Sequence, residues 1–169
     1  MIFPDMEDTL MTLLFMGLFA LGITVLDQFT KYLTVQNIPL HADVPLLPGV
    51  VQLTYAKNTG AAFSMLEGQQ WLFVLIFVVL SVAIVWLVRS KKVPFSPFEW
   101  GCLAAIYGGG LGNMIDRVRV GYVIDMIETQ FITFPVFNVA DCFITCGCIA
   151  MLISLIFFNK DFWKDGKSN

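Results

Sequence analysis

Apolar and polar positions along this chain are sorted into long blocks. Four stretches carry no charged residue: Thr9 to Leu26, Gly68 to Val88, Trp100 to Ile115, and Cys142 to Asn159. A helix that crosses a bilayer needs about 20 largely apolar residues. The second run reaches that length unaided, and the others borrow polar residues at their ends. The third is weakest, which places its end in a polar, protein-lined pocket. Backbone groups find no water partner in lipid, so each run is predicted as a helix. The predicted spans are 9–28, 69–89, 98–117 and 139–159, within one integral-membrane domain over residues 1–169. The outer loops are 32–67 and 118–138, and the fold class is an all-α membrane protein, a four-transmembrane-helix bundle. Between the first two spans, Val50-Val51-Gln52-Leu53-Thr54-Tyr55 reads as a strand, approached through Pro45, Pro48 and Gly49. A small extracytoplasmic β-sheet on the membrane surface follows, with Phe131, Phe134 and Phe137 as candidate anchors of the second outer loop.

Composition agrees with the block pattern. Hydrophobic residues make up 57% of the 169 and charged residues 14%, and the mean hydropathy is +0.77. Soluble domains carry about 25% charged residues, so this chain cannot cover itself in water and lipid is part of its solvent. The net charge of −3 and the scattered lysines and arginines exclude a nucleic-acid interface. The cysteines Cys102, Cys142, Cys146 and Cys148 lie in apolar runs without a Cys-x-x-Cys pair or a nearby histidine. They are expected to be buried free thiols, with neither a disulfide framework nor a zinc site. Asp5, Glu7 and Asp8 stand where a cleavable signal would carry basic residues, so the first run is expected to be a retained span.

Charge gives the direction of the spans. Arg89, Lys91 and Lys92 lie between spans two and three, and Lys160, Lys164 and Lys167 follow span four. The positive-inside rule puts these on the cytoplasmic side with both termini. Lys31, Lys57, Arg117 and Arg119 fall on the other side, so the bias is modest. Asp27, Asp116, Asp125 and Asp141 then reach one membrane face, with Asn58, Asn113 and Asn138 at the same level. Polar groups at a lipid boundary usually face a cavity or a partner.

Several of these residues admit more than one reading. Asp125 and Asp141 could form a water-activating dyad, in which close carboxylates share one proton. Equally, each could cap a helix or pair with an arginine, and Asp141 suits the first turn of span four. Asp27 and Lys31 are spaced for a structural ion pair along a helix. Arg117 could pair with Asp125 or Asp141, hold a substrate carbonyl, or meet phosphate. Gly108 and Gly112 are spaced to let another helix approach closely; a phosphate loop is rejected because the run is apolar and lacks a Gly-Lys-Ser/Thr ending. Asn58-Thr-Gly-Ala-Ala-Phe63 is either a plain turn or a loop that closes over substrate. His41, alone in a loop, reads as a solvated side chain.

Taken together and in order, Asp27-Gln-Phe-Thr-Lys31, Asn58-Thr-Gly-Ala-Ala-Phe63, Gly112-Asn-Met-Ile-Asp-Arg117, Val123-Ile-Asp-Met-Ile127 and Phe137-Asn-Val-Ala-Asp141 resemble the signature blocks of the bacterial lipoprotein signal peptidase (signal peptidase II) family. The likeness covers roughly residues 20 to 150. Each block alone is weakly specific, and the ordered set is strongly so. The resemblance implies an aspartic endopeptidase without metal or cofactor, in a four-helix bundle with a small outer sheet and a short outer helix. It implies substrates that are diacylglyceryl-modified prolipoproteins, cut just before the lipidated cysteine, and inhibition by cyclic peptides of the globomycin type. By the same likeness Asp125 and Asp141 are the catalytic pair, supported by Asp27, Lys31, Asn58, Gly60, Asn113, Asp116, Arg117, Asn138 and Ala140. It implies a bacterial cytoplasmic-membrane enzyme with its site near the extracytoplasmic face. One chain could hold the whole site, so a monomer is expected. Thr30 stands where the family often has serine, and Met126 where phenylalanine is common. The rival functions are a proton-coupled transporter and a non-enzymatic scaffold. A transporter needs a polar path inward, and the inner halves of the four spans are expected to carry no charge.

Overall fold

The computed structural model describes residues 6–60, 70–90 and 92–163. In chain order these form α1 (Met6–Asn37), β1 (Asp43–Leu47), β2 (Val51–Asn58), α2 (Gln70–Ser90), α3 (Pro97–Val120), β3 (Val123–Thr129) and α4 (Val139–Ile153). The last helix continues through a π-helical turn, Ser154–Phe158, and a 3-10 turn, Asp161–Trp163. The protein is mainly helical with a three-stranded antiparallel sheet in the order β1-β2-β3. Three helical stretches, Glu7–Asn37, Trp71–Ser90 and Val139–Phe158, are long and apolar enough to cross a membrane. The 24-residue α3 has the length, but it also carries Glu99, Asp116, Arg117 and Arg119.

The bundle is close-packed where side chains are small. A methyl group added at Gly108 would come within 2.7 Å of the Ala20 carbonyl oxygen on α1, and one at Gly109 would strike the Ala140 carbonyl on α4. The small-residue contact expected at Gly108 and Gly112 is therefore made with α1, while Gly109 serves α4. Ala104 of α3 packs with Met16 of α1 and with Ile84 and Val88 of α2. Elsewhere α2 is largely exposed on its apolar face (Trp71, Val79, Val82 and Trp86), as expected for a surface whose solvent is lipid.

Helix α1 runs past residue 28 to Asn37. The polar side chains there satisfy themselves on the preceding turn: Thr30 and Thr34 hydroxyls donate to the carbonyls of Asp27 and Thr30, and Asn37 donates to that of Leu33. The predicted strand forms as β2, the centre of the sheet. Its partner β3 was not anticipated, although Val-Ile-x-Met-Ile-x-Thr is rich in strand formers. Pro45 lies in β1, an edge strand, where a missing N–H is tolerated. Gly49, at φ 77°, makes the β1–β2 turn. Gly121, at φ 82°, ends α3 by donating its N–H to the Arg117 carbonyl and turns the chain into β3.

Other details correct or refine the sequence reading. Met126 is buried with Ile38, Tyr55 and Ile124 beneath the sheet. All four cysteines are free, but only Cys102 is buried; Cys146 and Cys148 are exposed on α4. His41 is exposed in its loop. Phe131 and Phe134 are exposed, and Phe137 folds back against β3. No described outer residue forms a separate short helix, and 61–69 lie outside the described residues.

Candidate functional site

One end of the bundle gathers the polar residues that the sequence scattered. The C-terminal third of α1 supplies Asp27 and Lys31. The last turns of α3 supply Asn113, Asp116 and Arg117, β3 supplies Asp125, and the start of α4 supplies Asn138, Ala140 and Asp141. Asn58 closes β2, whose register places Ala56 opposite Asp125 after a bulge.

Lys31 is the hub of one half. Its Nζ lies 2.9 Å from both Asp27 Oδ2 and Asp116 Oδ2 and donates to Asn113 Oδ1 at 2.9 Å. All three charged side chains are buried. The other carboxylate oxygens are occupied too. Asp27 Oδ1 accepts the Ala140 N–H at 3.0 Å and Asp116 Oδ1 accepts from Gln28 Nε2 at 2.9 Å, while Asp116 Oδ2 also accepts the Ile124 N–H at 3.1 Å. Gln28 bridges Asp27, Asp116 and the Gly112 carbonyl. This side chain went unnoticed in the sequence, although it sits beside Asp27 in the block Asp27-Gln-Phe-Thr-Lys31. Ala140 contributes its backbone and its small size.

The other half holds Asp125 and Asp141, and amides rather than cations hold it. Asn58 Nδ2 donates to Asp125 Oδ2 at 3.0 Å, and Asn138 Nδ2 to Oδ1 at 2.6 Å. Asp141 Oδ1 accepts from Asn113 Nδ2 at 2.8 Å, and Oδ2 from the Asn138 N–H at 3.2 Å. The Asn138 side-chain oxygen in turn accepts the Asp141 N–H at 2.9 Å. Asn138 is thus the N-cap of α4 and Asp141 the third residue of a capping box. The cap reading of Asp141 holds without removing it from the cluster, because only one carboxylate oxygen is used for the cap. Neither Asp125 nor Asp141 makes an ion pair among the described residues. Asp125 is 2% exposed, and burial pushes its carboxyl from the ordinary 3.8 up to about 6, with the nearby Asp141 charge adding to the rise. The Asn58 and Asn138 amides and the Lys31 charge oppose it.

Arg117 pairs with no carboxylate among the described residues. It donates to the carbonyls of Asn113 and Gly60 at 3.2 and 3.0 Å and lies 4.3 Å from the ring centre of Phe73. Its buried Nε has no partner among the described residues. Gly60 also donates its N–H to Asn58 Oδ1, so Arg117 holds the turn that aims Asn58 at Asp125. The remainder of that motif, Ala61 to Phe63, lies outside the described residues, and with it the question of a closing loop.

A cavity of about 720 Å³ opens beside this cluster, between α2, α3 and α4. Its walls are apolar, from Phe73, Phe77, Leu80 and Ile144, and its polar end carries Asn58, Asn113, Arg117 and Asp141. Asp125 stands behind that wall and is linked to it through Asn58 and Asn138. Paired carboxylates, one with a raised pKa, beside an apolar trough can perform general acid and base work on a chain lying in the trough. At the opposite end of α3, Glu99 is fully buried, which corrects the expectation that the inner halves are free of ionisable groups.

Comparison with known proteins gives consistent results. Residues 19–157 match the family model for signal peptidase (SPase) II. The chain is 46% identical over 143 residues to the lipoprotein signal peptidase of Enterococcus faecalis, covering 85% of this chain and 88% of that one. It is 46% identical over 144 residues to that of Streptococcus pyogenes serotype M1, covering 85% and 89%. Two solved bacterial membrane enzymes have the same fold. One has a TM-score of 0.79 at 30% identity, covering 86% of this chain and 90% of that one; the other has 0.76 at 31%, covering 85% and 94%.

Proposed function

The chain belongs to the signal peptidase II family and is a multi-pass membrane peptidase of lipoprotein signal peptides, and from that premise we propose that Asp125 and Asp141 form its catalytic dyad. The observation that carries this reading is that two carboxylates from different elements are bound to one residue, Asn138, Asp125 through its side-chain amide and Asp141 through its backbone N–H, with no ion-pair partner among the described residues. Such a pair holds one proton between its members. The ionised member takes a proton from water, and the resulting nucleophile attacks the scissile carbonyl. The protonated member donates its proton to the carbonyl oxygen; as the tetrahedral intermediate collapses, the member that took the water proton passes it to the departing amine, and the other recovers its own proton from the intermediate's hydroxyl. Burial raises the pKa of Asp125 to about 6, which supports its being the member that keeps a proton more readily than an ordinary carboxylate. Asn58, Asn113 and Asn138 orient the pair, Arg117 holds the Gly60 turn and faces the substrate, and Asp27, Lys31 and Asp116 keep the helices in place.

The substrate proposed is a prolipoprotein whose cysteine carries diacylglycerol, cut just before that cysteine. Each methylene of such a lipid adds about 0.8 kcal/mol to membrane retention, so the enzyme must bring its carboxylates to the bilayer surface. The apolar trough leading to Asp141 suits a signal peptide entering sideways from lipid. Four spans, cytoplasmic termini and a site near the extracytoplasmic face of the bacterial inner membrane complete the reading. It needs no cofactor or metal, works as a monomer, and takes globomycin-type cyclic peptides as inhibitors. The test is cleavage of a diacylglyceryl-modified lipobox peptide by detergent-solubilised protein. Unmodified peptide, Asp125→Asn and Asp141→Asn run beside it. Each substitution should lower turnover by at least about a thousandfold in a protein that remains folded. A folded single variant that keeps cleaving would end the dyad assignment.

A further inference from the structure

The inner end of the α3–α4 pair carries a second polar cluster, which the carboxylate site does not touch. Glu99, in the first turn of α3, is 0% exposed. Its Oε2 accepts from the Ser96 N–H at 2.7 Å and from Asn159 Nδ2 at 2.7 Å, and its Oε1 accepts from the Ser154 hydroxyl at 2.9 Å. The Ser96 contact is a local capping box. The other two cross to the end of α4. Ser154 and Asn159 are five residues apart, and five residues of α-helix turn about 500°, leaving such side chains about 140° apart. The π-helical turn at Ser154–Phe158 instead brings residues five apart into line, and the Asn159 N–H bonds the Ser154 carbonyl at 2.8 Å. The irregular turn is what lets both side chains reach one carboxyl group.

We propose that Glu99 is a remote positioning residue that, through Ser154 and Asn159, sets the register of α4 against α3 and so the placement of Asp141 against Asn113. The proposal rests on the reading of Asp141 as catalytic. Glu99 precedes Asn113 by fourteen positions, roughly 21 Å along α3, and the same two helices are tied there by the Asn113–Asp141 hydrogen bond of 2.8 Å. Between the two ties the contact is small and apolar, with Gly109 on Ala140 and Gly147 on Cys102 and Ile106. Apolar packing sets distance well and rotation poorly, whereas buried hydrogen bonds are directional. The tail beyond α4 is docked by other means. Asn159 Nδ2 also donates to the Pro94 carbonyl at 2.8 Å, and Phe162 stacks on Phe95 at 6.2 Å. With the tail held, a π turn relaxing after loss of Glu99 displaces the part of α4 that leads to Asp141.

The test measures cleavage kinetics of the solubilised full chain on the lipidated peptide. In Glu99→Ala, kcat should fall about tenfold with KM within about twofold. Glu99→Gln should restore kcat to within about twofold, because its amide oxygen accepts from Ser96 and Asn159 while its NH2 donates to the Ser154 hydroxyl. Asn159→Ala is the milder variant if Glu99→Ala does not fold, and it should lower kcat in the same sense. Spin labels on exposed Val118 of α3 and Ile149 of α4 should show a shifted or broadened distance in Glu99→Ala. Folded Glu99→Ala or Asn159→Ala with wild-type kcat, a Glu99→Gln as impaired as the alanine variant, or an unchanged label distance would overturn the proposal. Wild-type protein that does not cleave would instead defeat the peptidase mechanism, leaving the label distance to decide the register.

Discussion

Two pairs of carboxylates share one end of the bundle, all buried except the half-buried Asp141, and their surroundings differ in kind. Asp27 and Asp116 close on a common ammonium, Lys31, and their remaining oxygens are filled by Gln28 and by backbone N–H groups. Asp125 and Asp141 close on a common residue, Asn138, the first on its side-chain amide and the second on its backbone N–H, and are otherwise held by the Asn58 and Asn113 amides. A cation compensates charge, whereas an amide only orients it. The first pair has a cation to balance its charge and ties three elements together. In the second, burial makes the Asp125 carboxyl hold a proton more readily, which is the state that acid–base chemistry draws upon.

The comparison breaks most sharply at Lys31. Replacing it with methionine strands two buried carboxylates, and loss of one partner from such a group costs about 3–5 kcal/mol. Denaturant or thermal unfolding of Lys31→Met should show a loss on that scale, whereas Asp141→Asn should unfold near wild type. Similar stability in the two variants would show that the halves are not energetically distinct. The next effect is steric. A methyl group at Gly112 would overlap the Asp27 carboxylate, and overpacking of this kind costs about 1–3 kcal/mol. Gly112→Ala should therefore destabilise the protein and lower activity together, and a variant of unchanged melting temperature would mean that α1 and α3 part more easily than their contact suggests.

The smallest effect sharpens the contrast through pH. Between the ordinary 3.8 and the raised value of about 6, folded protein holds a proton on Asp125 that the unfolded chain has released. Stability from this group therefore falls as pH rises through that window and stays lower above it. Asp125→Asn removes the penalty. It should raise stability by about 2 kcal/mol at about pH 8, after allowing for a weakened hydrogen bond, and the gain should vanish towards about pH 4. Melting temperatures of both proteins across that range check it. A gain independent of pH would mean that Asp125 ionises as an ordinary carboxylate.

Much of this was legible because lipid imposes simple rules. The apolar blocks locate the helices, and the β-branched run at Val50 to Tyr55 locates β2. The ordered motifs single out Asp27, Lys31, Asn58, Asn113, Asp116, Arg117, Asp125, Asn138 and Asp141, and the structure brings all of them to one end. Other features were not legible. β3 was obscured because its residues are buried on both faces, so no alternation marks it. Gln28 was overlooked because an uncharged polar residue beside an aspartate carries no distinctive pattern. Glu99 was overlooked because it lies in the first turn of its predicted span, just before the charge-free run, where a solvated carboxylate and a buried one look alike.

The sequence by itself determined the solvent, the number and approximate place of the apolar runs, and the residue types available for chemistry, since each depends on composition and spacing along the chain. Tertiary structure alone decided the partners. Arg117 could have met a carboxylate and instead grips the Gly60 turn; Lys31 could have served only Asp27 and also serves Asp116. Asn138 could have been a plain cap and instead joins Asp125 to Asp141. A hydrogen bond is settled by direction within a few tenths of an ångström, and those that join Asn138 to Asp125, Gly60 to Arg117 and Ala140 to Asp27 link residues 13, 57 and 113 positions apart in the chain.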